Sequence, residues 1–265
     1  MKRIGAWGWI ALLLAAGLAG CVTAPGGGGE REIRTDSDQS SVEKRARVRL
    51  ELASAYFARG QSTTALDEVK QALAAKPDLA EAFNLRGLIY ASLNELQLAE
   101  QSFQHALQLS PRDGDALHNY GWFMCQQRRF DDAEAQFNAA LAAPQYTGTA
   151  RTLTARGICL ARAGRWPDAE RQLARAFELD PGNPAAAFAY SEVLYQRGEY
   201  ERARFYVRRI NAQPEQSNAQ TLWLAARIER RLGNRPGVED FARQLRERFP
   251  ESAEARRLAL GQFDD

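Results

Sequence analysis

Three cysteines and two histidines are the most chemically versatile side chains in this 265-residue sequence, and their spacing limits what they can do. His105 and His118 do not form the His-Glu-x-x-His pair of a zinc protease, and no Gly-x-Ser-x-Gly elbow or Walker loop is present. Gly26 to Gly29 has neither a strand before it nor a helix after it, so it cannot cradle phosphate as those loops do. The sequence therefore reads as a non-enzyme without metal or other cofactor. Two kinds of thiol chemistry remain. Cys125 and Cys159 could oxidise to a disulfide if the fold sets them side by side, and Cys21, at the end of an apolar run, is placed for modification.

Leu18-Ala19-Gly20-Cys21 closes an apolar run from Trp7 to Leu18 that lies behind Lys2 and Arg3. This order resembles the lipobox of a bacterial lipoprotein signal peptide, and the run is short for a bilayer span. An ordinary cleaved signal or a short anchor would share part of it. The resemblance implies that residues 1–20 are removed, that the Cys21 thiol receives a diacylglycerol and that the new amine is acylated. Several acyl chains anchor firmly, because each buried methylene contributes about 0.8 kcal/mol. Val22 stands where Asp would signal inner-membrane retention, which implies a lipid-anchored protein on the periplasmic face of the outer membrane. Residues 21–39, with Gly26 to Gly29, Asp36, Ser37 and Asp38, have no apolar period and read as a flexible tether to a domain spanning 40–265.

Without Lys2 and Arg3, 33 of the 35 basic residues remain, against 33 acidic ones. That balance argues against nucleic acid as a partner. Only Lys2, Lys44, Lys70 and Lys76 are lysines, and the Arg-rich stretches 202–209 and 243–257 are interleaved with acids, as on solvated helix faces.

What positions these groups is a repeat of 34 residues. In the second copy, 80–113, Phe83, Gly87, Tyr90, Ala99, Phe103, Ala106 and Pro111 stand at positions 4, 8, 11, 20, 24, 27 and 32. The fourth, 150–183, supplies Gly157, Gly164, Trp166, Ala169, Ala176 and Pro181 in the same register. This resembles the tetratricopeptide pattern. Further copies lie near 46–79, 114–149, 184–218 and 219–252. In the last, Val238, Ala242 and Leu245 fill positions 20, 24 and 27, and 251–262 is the expected cap. Small residues at 8, 20 and 27 let two helices approach closely. Every proline falls in a connector, the tether, the opening of a repeat or the first turn of a second helix. Ser40-Ser41-Val42-Glu43 has the form of a capping box opening the first helix. The expected fold is all-α, a tetratricopeptide-repeat superhelix of about six hairpins with a C-terminal capping helix.

In such arrays the first helices line a concave groove, through positions 2, 5, 9, 12 and 13. Here these positions hold Leu50, Phe57, Asn84, Leu88, His118, Trp122, Cys125 and Gln126, then Thr154, Ile158, Arg162, Phe188, Glu192 and Tyr195, then Trp223, Arg227 and Arg230. Of these, Asn84, Leu88, His118, Trp122, Gln126, Phe188, Tyr195, Trp223 and Arg227 form the expected partner-binding set. Aromatic, amide and arginine side chains suit an extended peptide or an inserted helix. Packing of Trp122, Phe188 and Trp223 between repeats is the competing reading. Cys125 and Cys159 sit one repeat apart on adjacent first helices, which allows a bridge, although two buried small thiols would occupy the same places. The Lys and Asn pairs of a chaperone-type carboxylate clamp are missing.

The lipobox, the polar tether, six repeats and the segment His118-Asn119-Tyr120-Gly121-Trp122-Phe123-Met124-Cys125, followed by Arg129-Phe130-Asp131-Asp132-Ala133, together resemble one family across the whole chain. It is the PilF/PilW family of outer-membrane tetratricopeptide lipoproteins of type IV pilus biogenesis and stability. The resemblance implies a scaffold that helps the pilus secretin, or another pilus assembly protein, to localise and multimerise, or that keeps fibres stable. A scaffold in outer-membrane protein assembly or in recruiting peptidoglycan hydrolases would use the same anchor and fold.

Overall fold

The structure is a computed structural model describing residues 41–263; the expected signal segment 1–20, Cys21 and the tether 21–39 lie outside the described residues. Thirteen helices and no strand occur among the described residues. They run α1 (Ser41–Ala58), α2 (Ser62–Ala75), α3 (Ala80–Ser92), α4 (Leu96–Leu109), α5 (Gly114–Gln126), α6 (Phe130–Leu141), α7 (Thr149–Arg162), α8 (Trp166–Leu179), α9 (Pro184–Gln196), α10 (Tyr200–Asn211), α11 (Ala219–Arg231), α12 (Arg235–Arg248) and α13 (Ala253–Ala259). Successive pairs form six antiparallel hairpins, and α13 packs on the last. None of these helices is long and apolar enough to cross a membrane.

Each hairpin turns through three residues, the middle one at positive φ: Gly60, Asn94, Arg128, Gly164, Gly198 and Gly233. The amide of the third turn residue bonds back into the first helix, as in Glu95 to Tyr90 and Arg165 to Leu160, both 2.9 Å, which satisfies carbonyls the helix end leaves open. Gly233 keeps this place in the sixth repeat, which fixes the register of that repeat and sets Val238 where the others carry alanine.

Within a hairpin, the residue at position 8 answers the one at position 24. A methyl group on Gly87 would lie 2.7 Å from the Phe103 ring, one on Gly121 3.0 Å from Phe137, and one on Gly157 2.5 Å from Leu173. Where position 24 is the smaller Val69 or Val207, position 8 is Ala53 or Ser191. At positions 20 and 27, Ala65, Ala99, Ala106, Ala133, Ala140 and Ala169 are fully buried, so the helices of these pairs approach on small side chains. Three first helices, α5, α9 and α11, carry side-chain N-caps: Asp113 accepts from the Asp115 and Ala116 amides at 2.9 and 3.1 Å, Asn183 from those of Ala185 and Ala186, and Asn218 forms a capping box with Thr221. The Ser40 half of the box expected at α1 lies outside the described residues, and Glu43 pairs with Lys76 at 2.9 Å.

Hairpins are pinned to one another by acids on second helices. Glu134 bridges Arg156 at 2.8 Å and Arg165 at 2.5 Å, and Glu100 receives Arg129 at 2.6 Å and the Tyr120 hydroxyl at 2.9 Å. Hydrogen bonding from Arg156, reinforced by Arg165 and opposed by burial, keeps the Glu134 carboxyl below the usual carboxylate range. The stretch 202–209 departs from the solvated face expected of it. Arg208 reaches inward to Glu229, which is fully buried and receives the guanidinium at 2.6 Å and the Asn234 amide at 2.7 Å. Sequence alone gave no sign of this, because Glu229 takes a place held elsewhere by Tyr, Met or Leu.

Consecutive first helices, such as α5 with α7 and α7 with α9, approach backbone to backbone, whereas second helices among the described residues stand further apart and meet through long side chains, as Phe177 of α8 meets Tyr206 of α10. The array therefore curves with its first helices on the concave side.

Candidate functional site

The concave side holds a hollow of about 510 Å³ near the C-terminal half of the array. Every residue that lines it comes from a first helix or from α13: Trp122 of α5, Ile158 and Arg162 of α7, Ala185, Phe188, Ala189 and Glu192 of α9, Gln220, Trp223, Leu224 and Arg227 of α11, and Glu254 and Arg257 of α13. Trp122, Ile158, Glu192 and Arg227 occupy position 9 of four successive repeats, so one rung per hairpin builds the floor. A second hollow of about 260 Å³ shares Ile158, Arg162, Ala189 and Glu192 with the first and continues it past Trp166 to Gln196.

The rungs are held in place by their neighbours. The Arg162 guanidinium lies 5.0 Å from the Trp122 ring centre, and Arg227 lies 4.6 Å from that of Tyr195. Trp122 and Phe188 are half-buried, which leaves part of each ring to a ligand. Three arginines stand against two glutamates among the lining residues. Aromatic rings flanked by guanidinium groups, on a curved rigid frame, can bind a protein segment that offers apolar side chains and carboxylates. Among the described residues no cluster of three His, Cys, Asp or Glu could hold a metal.

Of the expected groove set, the structure brings Trp122, Phe188, Trp223 and Arg227 together and leaves the others elsewhere. His118 is a correction: it is 7% exposed, and its Nδ1 lies 2.9 Å from the Thr152 hydroxyl. The long connector 142–148 explains this, because Tyr146 folds back over the starts of α5 and α7 and its hydroxyl meets the same Thr152 oxygen at 2.6 Å. Burial first, and Arg151 second, lower the His118 pKa from 6.5 to about 4. Tyr195 is a second correction, 6% exposed under Arg227 with its ring 5.5 Å from Tyr200. Asn84 accepts from the Asn119 amide at 3.1 Å, Leu88 packs on the core around Phe103, and Gln126 is exposed at the end of α5, away from the hollow. Trp223 is both wall and core, 5% exposed with its ring 5.0 Å from Phe263. Gln220, Leu224, Glu254 and Arg257 escaped the sequence reading. The last two belong to the cap, whose path the repeat period does not specify.

Cys125 and Cys159 are joined by a disulfide, with Cα atoms 5.8 Å apart, on α5 and α7 directly beside the Trp122 and Ile158 rungs. The staple lies inside the core, where Cys125 packs with Phe123, Met124 and Ala155.

Comparison with known proteins agrees with this geometry. A tetratricopeptide-repeat family model matches residues 91–156 and 160–228, and a second one matches 50–114. The type IV pilus assembly protein PilF of Pseudomonas aeruginosa is 26% identical over 245 residues, which is 92% of this chain and 94% of that protein. The crystal structure of PilW, described as a widely conserved type IV pilus biogenesis factor, matches with a TM-score of 0.75 at 28% identity, over 81% of this chain and 98% of that one. The structure of Pseudomonas aeruginosa PilF shares the fold, with a TM-score of 0.72 at 22% identity over 84% of this chain and all of that one.

Proposed function

Since the chain belongs to the tetratricopeptide-repeat family, we propose that its concave groove is the docking site of a type IV pilus assembly protein and that the protein works as a scaffold in pilus biogenesis. The observation that carries this reading is the likeness to PilF over nearly the full length of both chains. The groove supports it, since Trp and Arg are the residue types that dominate binding energy at protein interfaces. The partner proposed is the outer-membrane secretin, which the scaffold helps to localise and multimerise, or else a component that keeps fibres stable. Lipid on Cys21 would hold the domain at the periplasmic face of the outer membrane, where tethering raises the effective concentration of a weak contact.

Two experiments test this reading. Cys21→Ser should leave a folded protein absent from outer-membrane fractions; unchanged fractionation contradicts the anchor. In the second, tagged lipidated protein is recovered from detergent-solubilised outer membranes and its companions are identified. Secretin held by the wild type and lost from Trp122→Ala/Phe188→Ala supports partner and groove together. Barrel-assembly factors or cell-wall hydrolases in its place would move the scaffold to that other machinery.

A further inference from the structure

The segment after α13 packs against a wall of the groove, on the α11 side chains next to the 510 Å³ hollow. Beyond α13 the backbone turns through Gly261, at φ +66°, and lays Phe263 against α11. Its ring lies 5.0 Å from Trp223 and 4.5 Å from the Arg230 guanidinium, and its carbonyl accepts from Arg227 Nε at 3.1 Å. Trp223 and Arg227 are also walls of the 510 Å³ hollow, so the same two side chains face the groove and hold Phe263. The indole Nε1 of Trp223 is buried with no hydrogen-bond partner, a donor this packing leaves unused. In sequence Phe263 is followed by Asp264 and Asp265, and the wall it packs on carries Trp223, Arg227 and Arg230.

We propose that Phe263 is a ligand held in cis and that the groove's partner carries the same chemistry, an aromatic residue with neighbouring carboxylates, which takes the place of Phe263 against Trp223, Arg227 and Arg230. This inference rests on the groove being the partner site. A group tethered by so short a link is present at an effective concentration on the order of millimolar. A free peptide of similar chemistry therefore competes poorly, whereas a partner that also fills the hollow around Trp122 and Phe188 displaces it. The Phe263 segment thereby sets an affinity threshold that favours longer, correctly matched segments.

The test uses the full chain in detergent, the variant Phe263→Ala, and a chain ending after Leu260, which keeps α13 whole. The probe is a labelled peptide, LALGQFDD, with the sequence of residues 258–265, read by fluorescence anisotropy. Both altered chains should bind it roughly 10-fold or more tightly than the unaltered chain, because their site is free rather than occupied. Alanine in place of phenylalanine in the peptide should abolish binding, and added salt should weaken it. Equal binding by all three chains, or binding by none, overturns the proposal. Capture of secretin from membranes is scored separately on the same chains. Equal capture by the full and shortened chains overturns displacement while leaving the groove reading intact. Peptide binding with no secretin capture by any chain supports the Phe263 site and overturns the assigned partner.

Discussion

At the scale of single residues, the backbone at the hairpin turns is the most regular feature of the molecule. Four of the six middle positions are glycine, Asn94 is a residue that tolerates φ 62°, and Arg128 holds φ 60° with a full side chain. A left-handed conformation costs an L-residue about 1–2 kcal/mol, and glycine gives back part of that gain through its looser unfolded state. Arg128→Gly should therefore raise stability by about 0.5–1 kcal/mol in urea denaturation; a loss of stability would show that the arginine side chain matters more than its backbone. His118 makes a second prediction. Its folded pKa of about 4 lies below the ordinary value of 6.5, so between these pH values only the unfolded chain takes up the proton. Stability is complete above pH 6.5, falls as pH drops, and stops falling on this account below about pH 4. The loss is roughly 2 kcal/mol by pH 5. His118→Gln should reduce the fall in denaturant midpoint between pH 7 and pH 5, and an undiminished fall would assign it to other groups.

At the scale of elements, each helix pair is built on the complementarity of positions 8 and 24. Gly87→Ala would press a methyl group onto Phe103, and the strain of overpacking, about 1–3 kcal/mol, exceeds the gain in helix propensity. Adding Phe103→Val recreates the Ala53–Val69 pairing of the first hairpin, so the two changes should be less damaging together than their sum. Strict additivity in a double-mutant cycle would contradict the pairing. These elements were legible in the sequence because small and large residues recur in one register and prolines punctuate it. The site was legible only in part. Position 9 reached the groove from Trp122 to Arg227, but position 5 gave a buried His118 and a half-exposed Phe188, since the first is covered by the longer connector through Tyr146. Tyr195 was hidden for a similar reason, beneath an arginine of the next repeat. Such burial is decided by contacts between repeats and by the curvature they sum to, which no single 34-residue unit encodes.

At the scale of the whole molecule, the curve of the array decides what it can do. First helices in mutual contact make the concave side, the disulfide between Cys125 and Cys159 ties two of its rungs, and α13 closes one end with Glu254 and Arg257. The convex side offers a control in Phe205, 61% exposed on the second helix α10 and remote from the hollow. The most direct test of the groove is therefore site-specific photocrosslinking in piliated cells, with a photoreactive residue replacing Phe188 in one strain and Phe205 in another. The account predicts a discrete adduct from position 188 that contains a pilus assembly protein, the secretin first, and none of that species from position 205. Equal adducts from both positions, or an adduct from 205 alone, would contradict it.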